Sequence, residues 1–182
     1  MAEAFVREYP AGAREGLLLM GRPGVGKTHL GIAALRGLVQ RGHDGLFYDY
    51  GELLKEIQAS YNPVSQASEM DVLEPVVKVE VLLLDDLGAS KPSAWALETV
   101  GYILNARYNA NLPTLLTTNY LDREEPAPQQ MVTGQRFTVA PESLSSRIGE
   151  RMRSRLFEMC RTIEMKSADY RRDIRRAGPL RA

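Results

Sequence analysis

The sequence has one cysteine, Cys160, so no disulfide can close within the chain. A lone thiol fits a cytoplasmic location. Long apolar runs are also missing. The longest, Gly16 to Met20 and Val81 to Leu84, fall far short of the roughly 20 residues of a membrane-spanning helix, so no membrane partner is expected. The first residues lack a basic stretch followed by an apolar one, and no secretory signal is expected. Net charge is absent too, with 23 basic against 23 acidic side chains. The balance is uneven along the chain. Residues 1–135 hold 11 basic and 17 acidic side chains and residues 136–182 hold 12 and 6, so the first part carries −6 and the last part +6. A basic C-terminal quarter suits a phosphate or an acidic partner; its plain alternative is a solvated helical surface with a basic tail.

What is present is an ordinary globular composition. The 182 residues are 44% hydrophobic and 25% charged, enough for one domain with one core. Short apolar runs at 16–21, 45–50, 79–85, 113–119 and 160–165 read as strands. Helical spacing of apolar residues marks 27–41, 53–61, 93–111 and 144–157, and Gly42 closes the first of these. Strands and helices alternate, which predicts an α/β fold with a mostly parallel five-stranded sheet. Residues 1–15 read as a lead-in, 122–143 as one long loop and 172–182 as a basic tail, all within a single domain over 1–182.

Gly21-Arg-Pro-Gly-Val-Gly-Lys-Thr28 has the spacing of a phosphate-binding loop, with a strand before it and a helix after it. Gly24 and Gly26 let the backbone curl so that successive N–H groups face phosphate oxygens. The helix that follows adds unpaired N–H groups and the positive end of its dipole. Lys27 supplies a cation, and Thr28 a hydroxyl for magnesium. Pro23, Val25 and His29 complete the nucleotide-binding stretch, although His29 has no assigned chemistry. A glycine-rich strand-to-helix turn is the alternative.

Val81-Leu-Leu-Leu-Asp-Asp86 is an apolar strand ending in two carboxylates, and such folds bind ligands at the carboxyl ends of their strands. Asp85 is the expected magnesium ligand and Asp86 the group that orients or deprotonates the attacking water. A merely polar strand terminus is the other reading. Asn119, at the end of Pro113-Thr-Leu-Leu-Thr-Thr-Asn119, is placed to bond that water or the terminal phosphate, or else caps its strand. Arg147, Arg151 and Arg155 recur every four residues and form one stripe on a helix. Periodicity alone favours a solvated basic face paired with Glu150 and Glu158. Trp95 reads as core, and His43 as a turn residue.

These residues resemble the ATPase domain of bacterial replicative-helicase loaders, the DnaC/DnaI class of the AAA+ superfamily. The resemblance rests on 21–30, Val81 to Gly88, Arg107-Tyr-Asn109, Pro113 to Asn119, Ser146 to Arg151 and Ala168-Asp-Tyr-Arg171. It implies a P-loop fold without a helical lid domain, ATP/ADP and Mg2+ as ligands, and slow, assembly-dependent ATP hydrolysis. Asn119 would be the sensor 1 residue. Arg155, with Arg151 one turn earlier, falls where the family has its trans-acting arginines. Arg171 would act near the nucleotide phosphates as a sensor 2 arginine. The implied partners are single-stranded DNA, further copies in a homo-oligomer or spiral, and a replicative DNA helicase bound through an N-terminal domain missing here. The segment from Leu53 to Tyr61 sits where the family carries a DNA-contacting insertion. Tyr61 suits a base and Lys55 a phosphate, but Leu53, Leu54 and Ile57 also suit a core. Relatives often carry glutamate where Asp86 stands, which fits slow turnover. An IstB-type transposition helper shares these motifs. A small-molecule kinase and a nucleotide-gated binding module are more distant alternatives.

Overall fold

The computed structural model describes residues 2–10, 15–62, 64, 67–122, 129–132, 135–138, 142–170 and 172. Five strands form one parallel sheet: β1 (Gly16–Met20), β2 (Gly45–Asp49), β3 (Val81–Asp85), β4 (Thr114–Thr118) and β7 (Cys160–Glu164), in the order β2-β3-β4-β1-β7. The predicted α/β class and five-stranded sheet are both observed. The three central strands are buried at every position, because helices cover both faces.

Successive strand side chains point to opposite faces and divide the core in two. Leu17, Val81, Leu83 and Leu115 face α1 (Ala2–Glu8) and α2 (Lys27–Val39). Leu18, Leu82, Leu84 and Leu116 face the larger layer of α3 (Tyr50–Ser60), α4 (Glu69–Lys78), α5 (Ala94–Asn109), α6 (Leu144–Ile148) and α7 (Glu150–Met159). Each of these buried leucines contributes about 1.5–3 kcal/mol relative to exposure. Among the described residues no helix is long and apolar enough to cross a membrane.

Several elements depart from the sequence reading. The lead-in contains α1, whose Phe5 and Tyr9 are buried against α2, while Arg41 donates to the carbonyls of Val6 and Tyr9. Helix α4 was not expected. Ser68 and Asp71 cap it reciprocally, and Pro75 inside it interrupts the pattern that would have signalled a helix. The segment read as one loop holds an antiparallel strand pair, β5 (Gln129–Val132) and β6 (Gln135–Thr138).

The helix expected over 144–157 is two helices. Gly149 separates them at φ 81 and ψ 149, a conformation favouring glycine. The arginine stripe is broken there. Arg147 lies on α6, donates to the Tyr120 hydroxyl and stacks 4.6 Å from that ring, so it does not continue the line of Arg151 and Arg155. Leu53, Leu54 and Ile57 of α3 are core residues, whereas Tyr61 and Lys55 are exposed. Trp95 is half-buried against the core, and its indole N–H donates to the Tyr61 hydroxyl at 3.2 Å.

Candidate functional site

The loop after β1 turns through Gly24 (φ 84) and Gly26 (φ 95) into α2. Only glycine takes these angles without strain. Gly26 is also the N-cap, and no side chain caps the helix, so the first-turn N–H groups of a 13-residue helix face the cleft uncapped. Lys27 opens that helix. Its ammonium, 6% exposed as a residue, donates to the carbonyls of Gly21 (2.8 Å) and Arg22 (3.0 Å) and to Asn119 Oδ1 (2.7 Å). One cation therefore joins the phosphate loop to the end of β4.

The end of β3 supplies the carboxylates. The Thr28 hydroxyl donates to Asp85, lying 3.0 Å from each carboxylate oxygen. Thr117 on the neighbouring strand donates to Asp85 Oδ1 at 2.5 Å and accepts the backbone N–H of Asp86 at 2.9 Å. Thr117 is fully buried and bridges the consecutive acids. Asp86 has left-handed backbone (φ 56), uncommon for a non-glycine residue, and Asn119 Nδ2 donates to its carboxylate. Burial, reinforced by the charge of Asp85, raises the Asp86 carboxyl above the ordinary aspartate value, while Lys27 opposes the shift. A raised carboxyl is a stronger proton acceptor once ionised.

A cleft of ≈ 590 Å³ joins these groups. Pro23, Gly24, Val25, Gly26, Lys27, Thr28 and His29 line one side, and Asp49, Asp85, Asp86, Thr117 and Asn119 the other. Residues 23–29 of the loop and helix start thus share one cavity with Asp85, Asp86 and Asn119 of the two strand ends. Arg151 and Arg155 do not; both lie on α7, beside a separate groove against α5. Arg171 falls outside the described residues.

Three features of the cleft were not read from sequence. Asp49, at the end of β2, adds a third carboxylate to its wall and caps α3 through Glu52 N–H at 2.9 Å. The signal was available, since Asp49 also ends a parallel strand. Thr117 is the second, hidden because a buried threonine reads as core. The third is the crossing of the phosphate loop by the segment after β7, of which only Arg171 was expected near the phosphates. Tyr170 N–H donates to Gly24 O at 3.1 Å, and Ser167 Oγ to Val25 O at 3.3 Å. A Cβ at Gly24 would lie 2.0 Å from an Asp169 carboxylate oxygen, a side-chain tip that can swing aside, so it is the turn at φ 84 that requires glycine there.

The donor set fits a nucleotide with a hard divalent cation. Thr28 gives its proton to Asp85, which leaves hydroxyl lone pairs available beside a carboxylate. Among the described residues no cluster of three His, Cys, Asp or Glu could hold a metal alone. Magnesium suits such a partial site, because it takes one or two protein oxygens and fills the rest from phosphate and water. Replacing Thr117 with valine keeps the shape and removes both hydrogen bonds. Turnover at limiting magnesium is expected to fall roughly tenfold, the scale of one bond to a charged group. A magnesium titration of phosphate release reads this directly; an unchanged curve would remove Thr117 from the site.

The family profile described as IstB-like ATP binding protein matches residues 8–130. The replicative helicase loader DnaI of Bacillus subtilis (strain 168) is 30% identical over 118 residues, 64% of this chain and 37% of that protein. The replicative helicase loader DnaC of Escherichia coli (strain K12) is 26% identical over 118 residues, 65% of this chain and 47% of that protein. The chain thus spans between a third and a half of the length of these curated relatives. Among solved structures, the DnaC helicase loader superposes with a TM-score of 0.71 at 30% identity, covering 91% of this chain and 86% of that one. The replication initiator DnaA bound to AMPPCP and single-stranded DNA superposes at 0.70 with 16% identity over 91% of this chain and 44% of that one, a likeness of fold alone.

Proposed function

The chain belongs to the family of IstB-like ATP-binding proteins, and from that premise we propose that it is the magnesium-dependent ATPase domain of a replicative-helicase loader, acting in an assembly on single-stranded DNA. The observation that carries the ATPase reading is the contact of Thr28 with Asp85 at 3.0 Å, which joins the phosphate loop to the acidic strand end. The uncapped turn of α2 and Lys27 hold the phosphates. Thr28 and Asp85 would hold magnesium, which would supply positive charge against the phosphates. Asp86 orients the attacking water and takes its proton. Asn119 bonds both Lys27 and Asp86, and so ties the cation to the base.

The reading as a loader draws on the names of the similar proteins, DnaI and DnaC. In the assembly, Arg155 of one copy reaches the ATP of the next, with Arg151 one turn earlier on the same helix. Tyr61 and Lys55, both exposed on α3 or its C-cap, are the proposed contacts for a base and a phosphate of single-stranded DNA.

Phosphate release from ATP, measured over protein concentration with and without single-stranded DNA, tests this. The rate per subunit is expected to rise with both. Arg155→Ala should leave ATP binding intact and lower assembled turnover on the order of 10³-fold, the lower end for a trans-acting arginine. A rate per subunit independent of concentration and of Arg155 would discard the trans arginine. Tight ATP binding with no release under any condition would leave a nucleotide-gated module. Because the matching profile is IstB-like, a transposase helper is kept as the second reading. Stimulation by a transposase and not by a helicase would decide for it.

A further inference from the structure

Arginines on this surface are mostly engaged. Arg153 holds Asp122 with two nitrogens and Arg161 holds Glu15, while Arg147 meets Tyr120 and Glu142. Arg155 differs. Among the described residues its guanidinium enters no ion pair and lies 4.2 Å from the centroid of the Tyr108 ring. Tyr108 stands in the last turn of α5, half-buried, with its ring packed on the core. Its hydroxyl donates to the carboxylate of Glu158.

That arrangement has a chemical consequence. Glu158 is three residues beyond Arg155 on α7, the spacing at which opposite charges pair on a helix. Such a pair would spend the guanidinium donors and cancel its charge. The phenol takes the carboxylate instead. The ring meanwhile holds the guanidinium by its face, an interaction that restricts the side chain without using its N–H groups. The arginine is left charged, ordered and with its donors available, as recognition of phosphate oxygens requires.

The geometry points to Tyr108 as the positioning residue for Arg155: its ring presents the guanidinium and its hydroxyl keeps Glu158 from neutralising it. This rests on the reading of Arg155 as an arginine that acts on ATP held by a neighbouring copy. Tyr108 itself touches no substrate.

The test measures phosphate release per subunit in the assembled, DNA-bound full chain, together with ATP affinity and thermal melting. Tyr108→Leu keeps apolar packing and loses the ring. It should lower turnover roughly three- to tenfold with ATP affinity unchanged. Tyr108→Phe keeps the ring and releases Glu158, so turnover should also fall. Adding Glu158→Gln to Tyr108→Phe should restore it, a rescue that a merely structural role would not produce. Arg155→Ala is measured alongside. If it leaves turnover unchanged, the reading of Arg155 fails. If it abolishes turnover while both Tyr108 variants match the parent, only the positioning role fails. Should Tyr108→Leu melt early, the rescue by Glu158→Gln still decides, and its absence overturns the proposal.

Discussion

Lys27→Ala is expected to weaken ATP binding roughly ten- to a hundredfold, the value of a hydrogen bond to a charged group, and to bring phosphate release below detection. The lysine opens α2, where the dipole and uncapped N–H groups already favour phosphate, and it adds a full positive charge at the floor of the cleft. Its removal also frees Asn119 Oδ1, which it holds at 2.7 Å, so the amide that bonds Asp86 loses its orientation. Turnover should therefore suffer more than binding, because the same cation serves the charge that develops in the transition state. Lys27→Arg is not a rescue. The Lys27 ammonium is a compact head fitted between two backbone carbonyls and an amide, and a planar fork does not fit that space. Titration with a fluorescent ATP analogue and a phosphate-release assay check both effects. Parent-like values in both would mean that nucleotide binds elsewhere.

Arg107→Leu is expected to cost roughly 3 kcal/mol of folding stability, from two buried carbonyls and one part-buried carbonyl losing their donors at about 1 kcal/mol each. Arg107 is 0% exposed. Its guanidinium donates to Val76 O (3.0 Å), Val79 O (2.8 Å) and Pro113 O (2.8 Å), and its Nε to Thr114 Oγ1 (2.9 Å). It thereby joins the end of α4, the entry to β3 and the entry to β4 from the last turn of α5. Burial pushes its pKa down to about 10, so it is still charged at neutral pH. Backbone oxygens replace its water, which makes a neutral leucine of similar bulk a poor substitute. Arg107→Lys should recover only part of the loss, since three donors on a flexible stem do not span carbonyls from three elements. Since typical domains are stable by about 5–15 kcal/mol, the leucine variant should show a markedly lower denaturant midpoint by circular dichroism. An unchanged midpoint would refute the staple.

The phosphate loop was legible because its geometry is local. Two glycines at positive φ, a lysine and a threonine act within eight residues, and a strand and a helix must flank them. Asp85 and Asp86 were legible for a related reason, since an apolar run that turns acidic marks the carboxyl end of a parallel strand. The alternation of strands and helices implied the parallel sheet. By contrast, Thr117 meets Asp85 across 32 positions, Tyr108 meets Glu158 across 50 and Ser167 meets Val25 across 142. Those contacts follow from the strand order β2-β3-β4-β1-β7 and from registers such as Leu84 beside Leu116. Hydrophobic periodicity says that a strand is buried, not which strand lies next to it. The break at Gly149 belongs with these, because a glycine in a helical pattern is compatible with an unbroken helix at a cost of about 1 kcal/mol, and packing chose otherwise. The sequence by itself determined the kind of site, since backbone permissiveness and charge act over a few bonds. Only the tertiary structure decided which side chains hold that site in shape, since that depends on neighbours brought together by the assembled sheet.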